Sequence, residues 1–181
     1  MNERKLVKKA VKGNKEAFEK LLVIHSNQLY RTAFLYVGNR EDALDIVQEV
    51  AYKGLLAIGQ LRNEEFFLTW LTKILMHCAF DVIKKKKREI PIEKIIEPSS
   101  EKLEKRESRL DLVKMIHQLK APYRDAIILF YFHDLPISEV AKIMNIPENT
   151  VKTYLYRGKG QLKKLLRGNG YNGEETVSSR I

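Results

Sequence analysis

Nowhere along the chain does an alternation of polar and apolar side chains persist at a period of two. Apolar residues recur instead three and four positions apart, the spacing that lays them along one face of a helix. A chain built this way buries its stripes by packing helix on helix, so the expected fold class is all-α. The first stripe is Phe18, Leu21, Leu22, His25 and Leu29, continued by Ala33, Phe34 and Val37. Gly38 and Asn39, which both accept left-handed backbone angles, break it. Glu41 and Asp42 then put negative charge at the start of a second helix through Ile46, Val47 and Val50, a region that Gly59 closes. After a polar stretch, Gln60 to Glu65, the clearest stripe runs Phe67, Trp70, Leu71, Ile74, Leu75, Cys78, Ala79, Val82 and Ile83, and it leads into the cations Lys84 to Arg88.

Residues 91–108 are mixed in charge, contain Pro98-Ser99-Ser100 and carry no sustained stripe, which predicts a flexible linker between two small helical domains, 1–90 and 109–168. Periodicity resumes at Leu110, Val113 and Ile116. Pro122 suits the first turn of a helix carrying Ala126, Ile127, Leu129 and Phe130, because the N–H it lacks would be unpaired there. Two further patterns, Pro136 to Met144 and Glu148 to Leu166, are separated only by Asn145-Ile146-Pro147. The tail 169–181 is glycine-rich and aperiodic, which predicts disorder.

A short helix, a three-residue turn and a longer basic helix make a helix-turn-helix. Val151, Leu155 and Leu162 would face inward, leaving Asn149, Thr150, Lys152, Thr153, Tyr156, Arg157 and Lys159 outward. Between Asn149 and Arg167 lie six basic residues and no acidic one, whereas a merely solvated helix usually mixes both signs. An ordinary helical hairpin with a charged face is the bland alternative. The run Lys84 to Arg88 alone is equally a solvated helix end. Placed after Phe66, Phe67 and Trp70 it reads as a nucleic-acid surface, aromatics stacking on unpaired bases while cations hold phosphates, although Trp70 suits a core as well.

Composition agrees with a polyanionic partner: 33 Lys+Arg against 23 Asp+Glu give a net charge of +10. Cys78 is the only cysteine, so an intrachain disulfide and a cysteine cluster holding zinc or iron-sulfur are excluded and a reducing cytoplasm fits. The basic segment Met1 to Lys12 lacks the apolar core of a secretory signal, and no uninterrupted apolar run approaches the roughly 18 residues of a membrane span. His25, His77, His117 and His133 share no metal-ligand spacing with each other or with Cys78, and no glycine loop follows a strand to cradle phosphate. Satisfied core or surface positions suit these histidines better, and Asp81 has no partnered acid or nucleophile nearby, so no catalytic residue, cofactor, metal site or small-molecule substrate is expected and the chain does not read as an enzyme.

Several segments carry a resemblance. Gly13 to Leu21, Glu41 to Glu49, and Phe67 to Leu71 with Ile74 and Asp81 resemble the second conserved region of extracytoplasmic-function (group 4) sigma factors, members of the sigma-70 family of bacterial RNA polymerase specificity subunits. Leu119 to Arg124, Glu139 to Ala141, and Thr150 to Thr153 with Leu155 and Arg157 resemble their fourth region. The match runs in order over nearly the whole chain. It implies that the acidic helix, with Asp42, Asp45, Gln48 and Glu49, docks on the clamp helices of the polymerase's largest subunit. It implies that Arg62, Asn63, Phe67, Trp70, His77, Asp81, Lys84 and Lys85 melt and read the minus-ten promoter element. The fourth region would bind the flap of the other large subunit and read the minus-thirty-five element through Asn149, Thr150, Lys152, Thr153, Tyr156, Arg157 and Lys159. An anti-sigma factor, often membrane-bound, is a further implied partner, with envelope or extracellular stress as the inducing signal. Two departures stand out: His77 replaces a common asparagine, and Tyr154 replaces an arginine often seen in the recognition helix. The expected function is therefore that of a cytoplasmic sigma factor. The rivals are a self-sufficient helix-turn-helix regulator, which would bind duplex promoter without polymerase, and a helical protein that meets RNA or a membrane surface through charge alone.

Overall fold

The computed structural model describes residues 2–89 and 112–168, and every regular element among them is helical. The expected linker at 91–108 and tail at 169–181 lie outside the described residues.

The chain starts with a helix that the stripes did not announce. In α1, Glu3–Val11, the Asn2 side chain accepts from the Arg4 N–H at 3.1 Å, and Leu6, Val7 and Ala10 are buried. Gly13 then takes φ +90°, a left-handed angle open to glycine. The Asn14 side chain, accepting from the Ala17 N–H at 2.8 Å, caps α2, Lys15–Val37. Gly38, at φ +76°, ends α2, and Asn39 caps α3, Arg40–Ala57, as the break at Gly38-Asn39 requires. Two single 3-10 turns, Ile58–Gln60 and Glu64–Phe66, lead into α4, Phe67–Glu89.

Phe18, Leu21, Leu29, Ile46, Leu71 and Leu75 are each at most 1% exposed and form the centre of this bundle. Gly54 sits where a Cβ would lie 2.9 Å from the Phe18 ring and 3.2 Å from a Leu71 methyl, so α3 approaches its neighbours as closely as a side chain-free position permits. By length and composition, residues 64–86 would also suffice to cross a membrane. Among the described residues this is the one such helix, and Leu71, Leu75 and Ala79 instead belong to the protein core, without any exposure.

Asn39 ties three things together: its Oδ1 accepts from the Asp42 N–H at 2.9 Å, its Nδ2 donates to the Asp42 carboxylate, and that carboxylate also pairs with Lys86 of α4. Replacing Asn39 with alanine is expected to cost about 1 kcal/mol, the usual worth of an N-cap, read as a lower urea midpoint with an unchanged slope.

In the C-terminal half, α5 covers residues 112–118 and α6 is Ala121–Ile127, with Pro122 in its first turn. One turn of π-helix, Ile128–Phe132, continues α6, closed by the His133 N–H on the Ile128 carbonyl at 2.9 Å. Helices α7, Ile137–Met144, and α8, Glu148–Gly168, follow. Their core is Ile116, Ile127, Ile128, Leu129, Val140, Val151 and Leu155, and a Cβ on Gly158 would stand 2.9 Å from Ile127, so α8 crosses α6 at glycine.

The two halves pack directly on each other. His133 is fully buried, its ring nitrogens 2.7 Å from the Thr32 hydroxyl of α2 and 2.6 Å from the Thr72 hydroxyl of α4. Gln28 donates to the His133 carbonyl at 2.6 Å, Thr69 donates to Glu139 at 2.7 Å, and His117 donates to the Leu35 carbonyl at 3.0 Å.

Candidate nucleic-acid interface

The turn between α7 and α8 is built by its residues. Asn145 takes φ +54°, the left-handed angle that ends a helix, and the Ile146 N–H satisfies the Ala141 carbonyl at 3.1 Å. Pro147, which has no N–H to leave unpaired, offers its carbonyl to the N–H groups of Thr150 (2.9 Å) and Val151 (3.2 Å), starting α8. Val151 and Leu155 are buried and Leu162 half-buried, as the inward stripe predicts. Asn149, Lys152, Thr153, Tyr156 and Arg157 are exposed, Tyr156 to 81%, while Thr150 and Lys159 are half-buried beside them. This is one continuous face of donors, acceptors and cations. The Arg157 guanidinium reaches the Tyr123 hydroxyl at 3.5 Å, a long contact that orients the side chain without using up its charge. Tyr154 turns inward, its ring 5.5 Å from that of Tyr123, so the departure at this position serves packing between α6 and α8.

On α4, His77, Asp81, Lys84 and Lys85 are exposed at i, i+4, i+7 and i+8 and share one face. Arg62 and Asn63 are exposed in the preceding loop, where Asn63 accepts from the Glu65 N–H at 3.0 Å. Phe67 corrects an expectation. At 2% exposure it packs edge-on against Phe18, ring centres 6.4 Å apart, and has no face left for a base. Trp70 is half-buried, 6.1 Å from Phe67. Phe66, 37% exposed, is the ring that remains available in this stretch, and Lys142 of α7 stands 4.0 Å above it.

On α3, Asp45, Gln48 and Glu49 are exposed, whereas Asp42 is half-buried and held by Asn39 and Lys86, which makes it a tether between α3 and α4. The sequence reading missed the apolar company of this acidic face: Tyr52 (62% exposed) and Leu56 (68%) continue Asp45, Gln48 and Glu49 at helical spacing. Exposed apolar groups thus lie in line with exposed carboxylates on one side of α3, and the i, i+3, i+4 spacing was there to be read.

Sequence comparison separates the alternatives. The family model for sigma-70 region 2 matches residues 21–89, and the model for sigma-70 region 4 matches residues 109–162. The RNA polymerase sigma factor SigV of Bacillus subtilis is 40% identical over 134 residues, covering 74% of this chain and 81% of that protein. The chain belongs to the sigma-70 family. Its likeness to the extracytoplasmic-function sigma factor SigW of the same organism, 32% identical and covering 91% of this chain and 96% of that one, places it in the extracytoplasmic-function group. Among solved structures, CnrH superposes with a TM-score of 0.76 at 20% identity, over 93% of this chain and 99% of that one. The sigma factor RpoE of Bartonella quintana superposes at 0.70 and 24%, over 83% and 96%. Both show the same all-α fold. A sigma factor binds core RNA polymerase and promoter DNA and starts transcription at chosen promoters, and the family match favours this over a self-sufficient helix-turn-helix regulator.

Proposed function

We propose that the two halves divide the sigma factor's work between three faces. Residues 1–90 form the polymerase-binding and minus-ten unit, and residues 109–168 the minus-thirty-five unit. Asp45, Gln48 and Glu49, with Tyr52 and Leu56 beside them, dock on the polymerase clamp, and Asp42 holds α3 against α4 behind that face. Arg62, Asn63, His77, Asp81, Lys84 and Lys85 meet the melted minus-ten strand, Trp70 supporting them from below. The exposed face of α8 enters the major groove of the minus-thirty-five element. The observation that carries this reading is α8 itself: an exposed polar and cationic face without an acidic residue from Asn149 to Arg167, presented by a helix-turn-helix whose turn is fixed by hydrogen bonds from Ile146 to Ala141 and from Thr150 and Val151 to Pro147. The chain catalyses nothing in this scheme; polymerase does the chemistry. It works in the cytoplasm, where polymerase is.

An anti-sigma factor and a response to envelope or extracellular stress belong to the same proposal. The Bartonella quintana neighbour was solved with the anti-sigma factor NepR, and CnrH with the cytosolic domain of CnrY.

In vitro transcription with purified core enzyme tests the reading. Promoter-specific transcripts are expected only when chain and core are both present; tight duplex binding by the chain alone, with no effect on core, would overturn it. Within that assay Lys152→Ala is expected to relax base preference upstream by about 1–3 kcal/mol, as a lost base-edge interaction does. Arg157→Ala should weaken binding uniformly across sequences and lower the salt slope by about one, as a lost phosphate interaction does. Normal transcription by both variants at limiting holoenzyme would remove α8 from promoter recognition.

A further inference from the structure

The basic start of the chain belongs to none of the three faces, although it has an order of its own. From Arg4 to Lys15 there are six cations and no acidic residue. Leu6, Val7 and Ala10 turn one side of α1 into the core, and Lys5, Lys8, Lys9 and Lys12, spaced i, i+3, i+4 and i+7 and all exposed, fill the other side. Among the described residues none of these four pairs with a carboxylate, and Glu3 is taken by His25 of α2 at 2.9 Å. Lys8 and Lys9 lie in the last turn, where cations suit the negative end of the helix dipole, but Lys5 stands outside that turn. Like charges three and four residues apart repel along a helix, so this row is one that an anionic partner relieves.

Packing sets the row beside the loop assigned to the minus-ten strand. Helix α1 lies against α2 and against both 3-10 turns. At its C-terminal end a Cβ on Gly59 would stand 3.9 Å from the Val11 carbonyl, and at its N-terminal end the Arg4 guanidinium pairs with Glu65 at 3.4 Å. The segment from Gly59 to Glu65 therefore runs antiparallel along the helix, and it carries the exposed Arg62 and Asn63. Arg4 is engaged in that tether, whereas the four lysines are left for a ligand. From Lys5 to Lys12 they extend over about 10 Å of helix, the length of about three phosphates along one DNA strand.

We propose that the exposed face of α1 is a further DNA contact of the N-terminal half, one that takes no account of sequence: Lys5, Lys8, Lys9 and Lys12 hold the phosphates of the promoter strand where it leaves the nucleotides met by Arg62 and Asn63. The proposal rests on the reading of that loop as part of the minus-ten contact. A lysine holds phosphate as a point charge, and phosphate contacts position a strand without reading its bases. This face thus adds affinity and salt dependence and leaves promoter choice alone.

The combined variant Lys5→Gln, Lys8→Gln, Lys9→Gln and Lys12→Gln tests it in holoenzyme. Glutamine is a good helix former at exposed positions, so helicity and core binding should stay at wild-type values. Binding to a labelled promoter fork over a series of potassium chloride concentrations should show the slope of log affinity against log salt reduced by about two to three. Base preference at a randomised minus-ten element should not change. Shortening the fork stepwise on each side of that element should erase the difference between variant and wild type on one side only, which locates the phosphates. Should the combined variant lose helicity, Lys8→Gln with Lys12→Gln takes its place, with a slope reduced by about one to two. An unchanged slope would overturn the proposal, and so would a difference that survives every shortening, since charge acting at long range needs no contact. A wild-type slope with lost binding to phosphatidylserine vesicles would assign the face to a membrane surface and overturn it as well. Unchanged minus-ten affinity and preference in Arg62→Ala with Asn63→Ala would instead count against the reading of the loop, which the lysine variant does not touch.

Discussion

Reversing the charge at Asp45 and Glu49 together, Asp45→Lys with Glu49→Lys, is expected to weaken core-polymerase binding by about a hundredfold, which is about 2.8 kcal/mol. Both side chains are exposed on α3, in line with Tyr52 and Leu56, so the reversal places cations in the middle of the mixed acidic and apolar face proposed to dock on polymerase. Charges facing the wrong partner cost several kcal/mol across an interface, whereas exposed substitutions usually change stability by within about 0.5 kcal/mol. Within the chain the reversal breaks the ion pair between Glu49 and Lys53 at 3.2 Å, an exposed pair four residues apart worth about 0.3–0.5 kcal/mol. Holoenzyme formation followed by anisotropy of the labelled chain reads the first effect and a thermal melt the second, with Glu19→Lys on the exposed side of α2 as the control. Assembly at wild-type affinity would remove this face from polymerase docking.

Local signals carried most of the fold. Gly38-Asn39 and Asn145-Ile146-Pro147 ended and restarted helices where expected because left-handed angles and side-chain caps act within a few residues. Helix α1 has the same signals, an asparagine before Leu6, Val7 and Ala10 at helical spacing, but its stripe is only three residues long and set among the cations of the first twelve residues. The π turn was not legible: Ile128 to Phe132 is an unbroken apolar run, which looks the same at any helical pitch.

The candidate site was legible where exposure follows from helix phase. On α8 the buried Val151 and Leu155 set which side faces out, so the outward residues followed. Phe67 went wrong because the partner that buries it, Phe18, stands 49 positions earlier, and a stripe beginning at an aromatic does not say whether its first ring is covered. The joint between the halves is the extreme case. His133, Thr32 and Thr72 bear no periodic relation to one another, and only the folded chain brings them within 2.7 Å.

That joint also holds two groups whose titrations oppose each other. Burial pushes the His133 ring down to about 4 from its ordinary 6.5, so it is neutral in the folded chain. Between pH 6.5 and 4 the unfolded chain binds the proton and the folded one does not; the stability this gives is complete above 6.5 and gone once pH has fallen through about 4. Burial pushes Asp125 the other way, up to about 6 from 3.8, with the Arg124 guanidinium only partly opposing it. Here the folded chain binds the proton first, so the stability is complete below 3.8 and lost as pH rises through about 6. At 1.36 kcal/mol per tenfold each is worth on the order of 3 kcal/mol, and between about pH 4 and 6 the two nearly cancel. Wild-type stability should therefore take little pH dependence from this pair, and single variants should uncover it. Relative to wild type, Asp125→Asn is expected to lose about 3 kcal/mol on going from about pH 6 to 4, while His133→Gln gains a similar amount over the same range, because differences between variant and wild type remove the contributions of every other group. Urea unfolding at half-unit steps of pH measures both. Two difference curves that run flat would show that neither burial holds its group away from its ordinary titration, and curves of equal sign would show that one of the two groups titrates opposite to its surroundings.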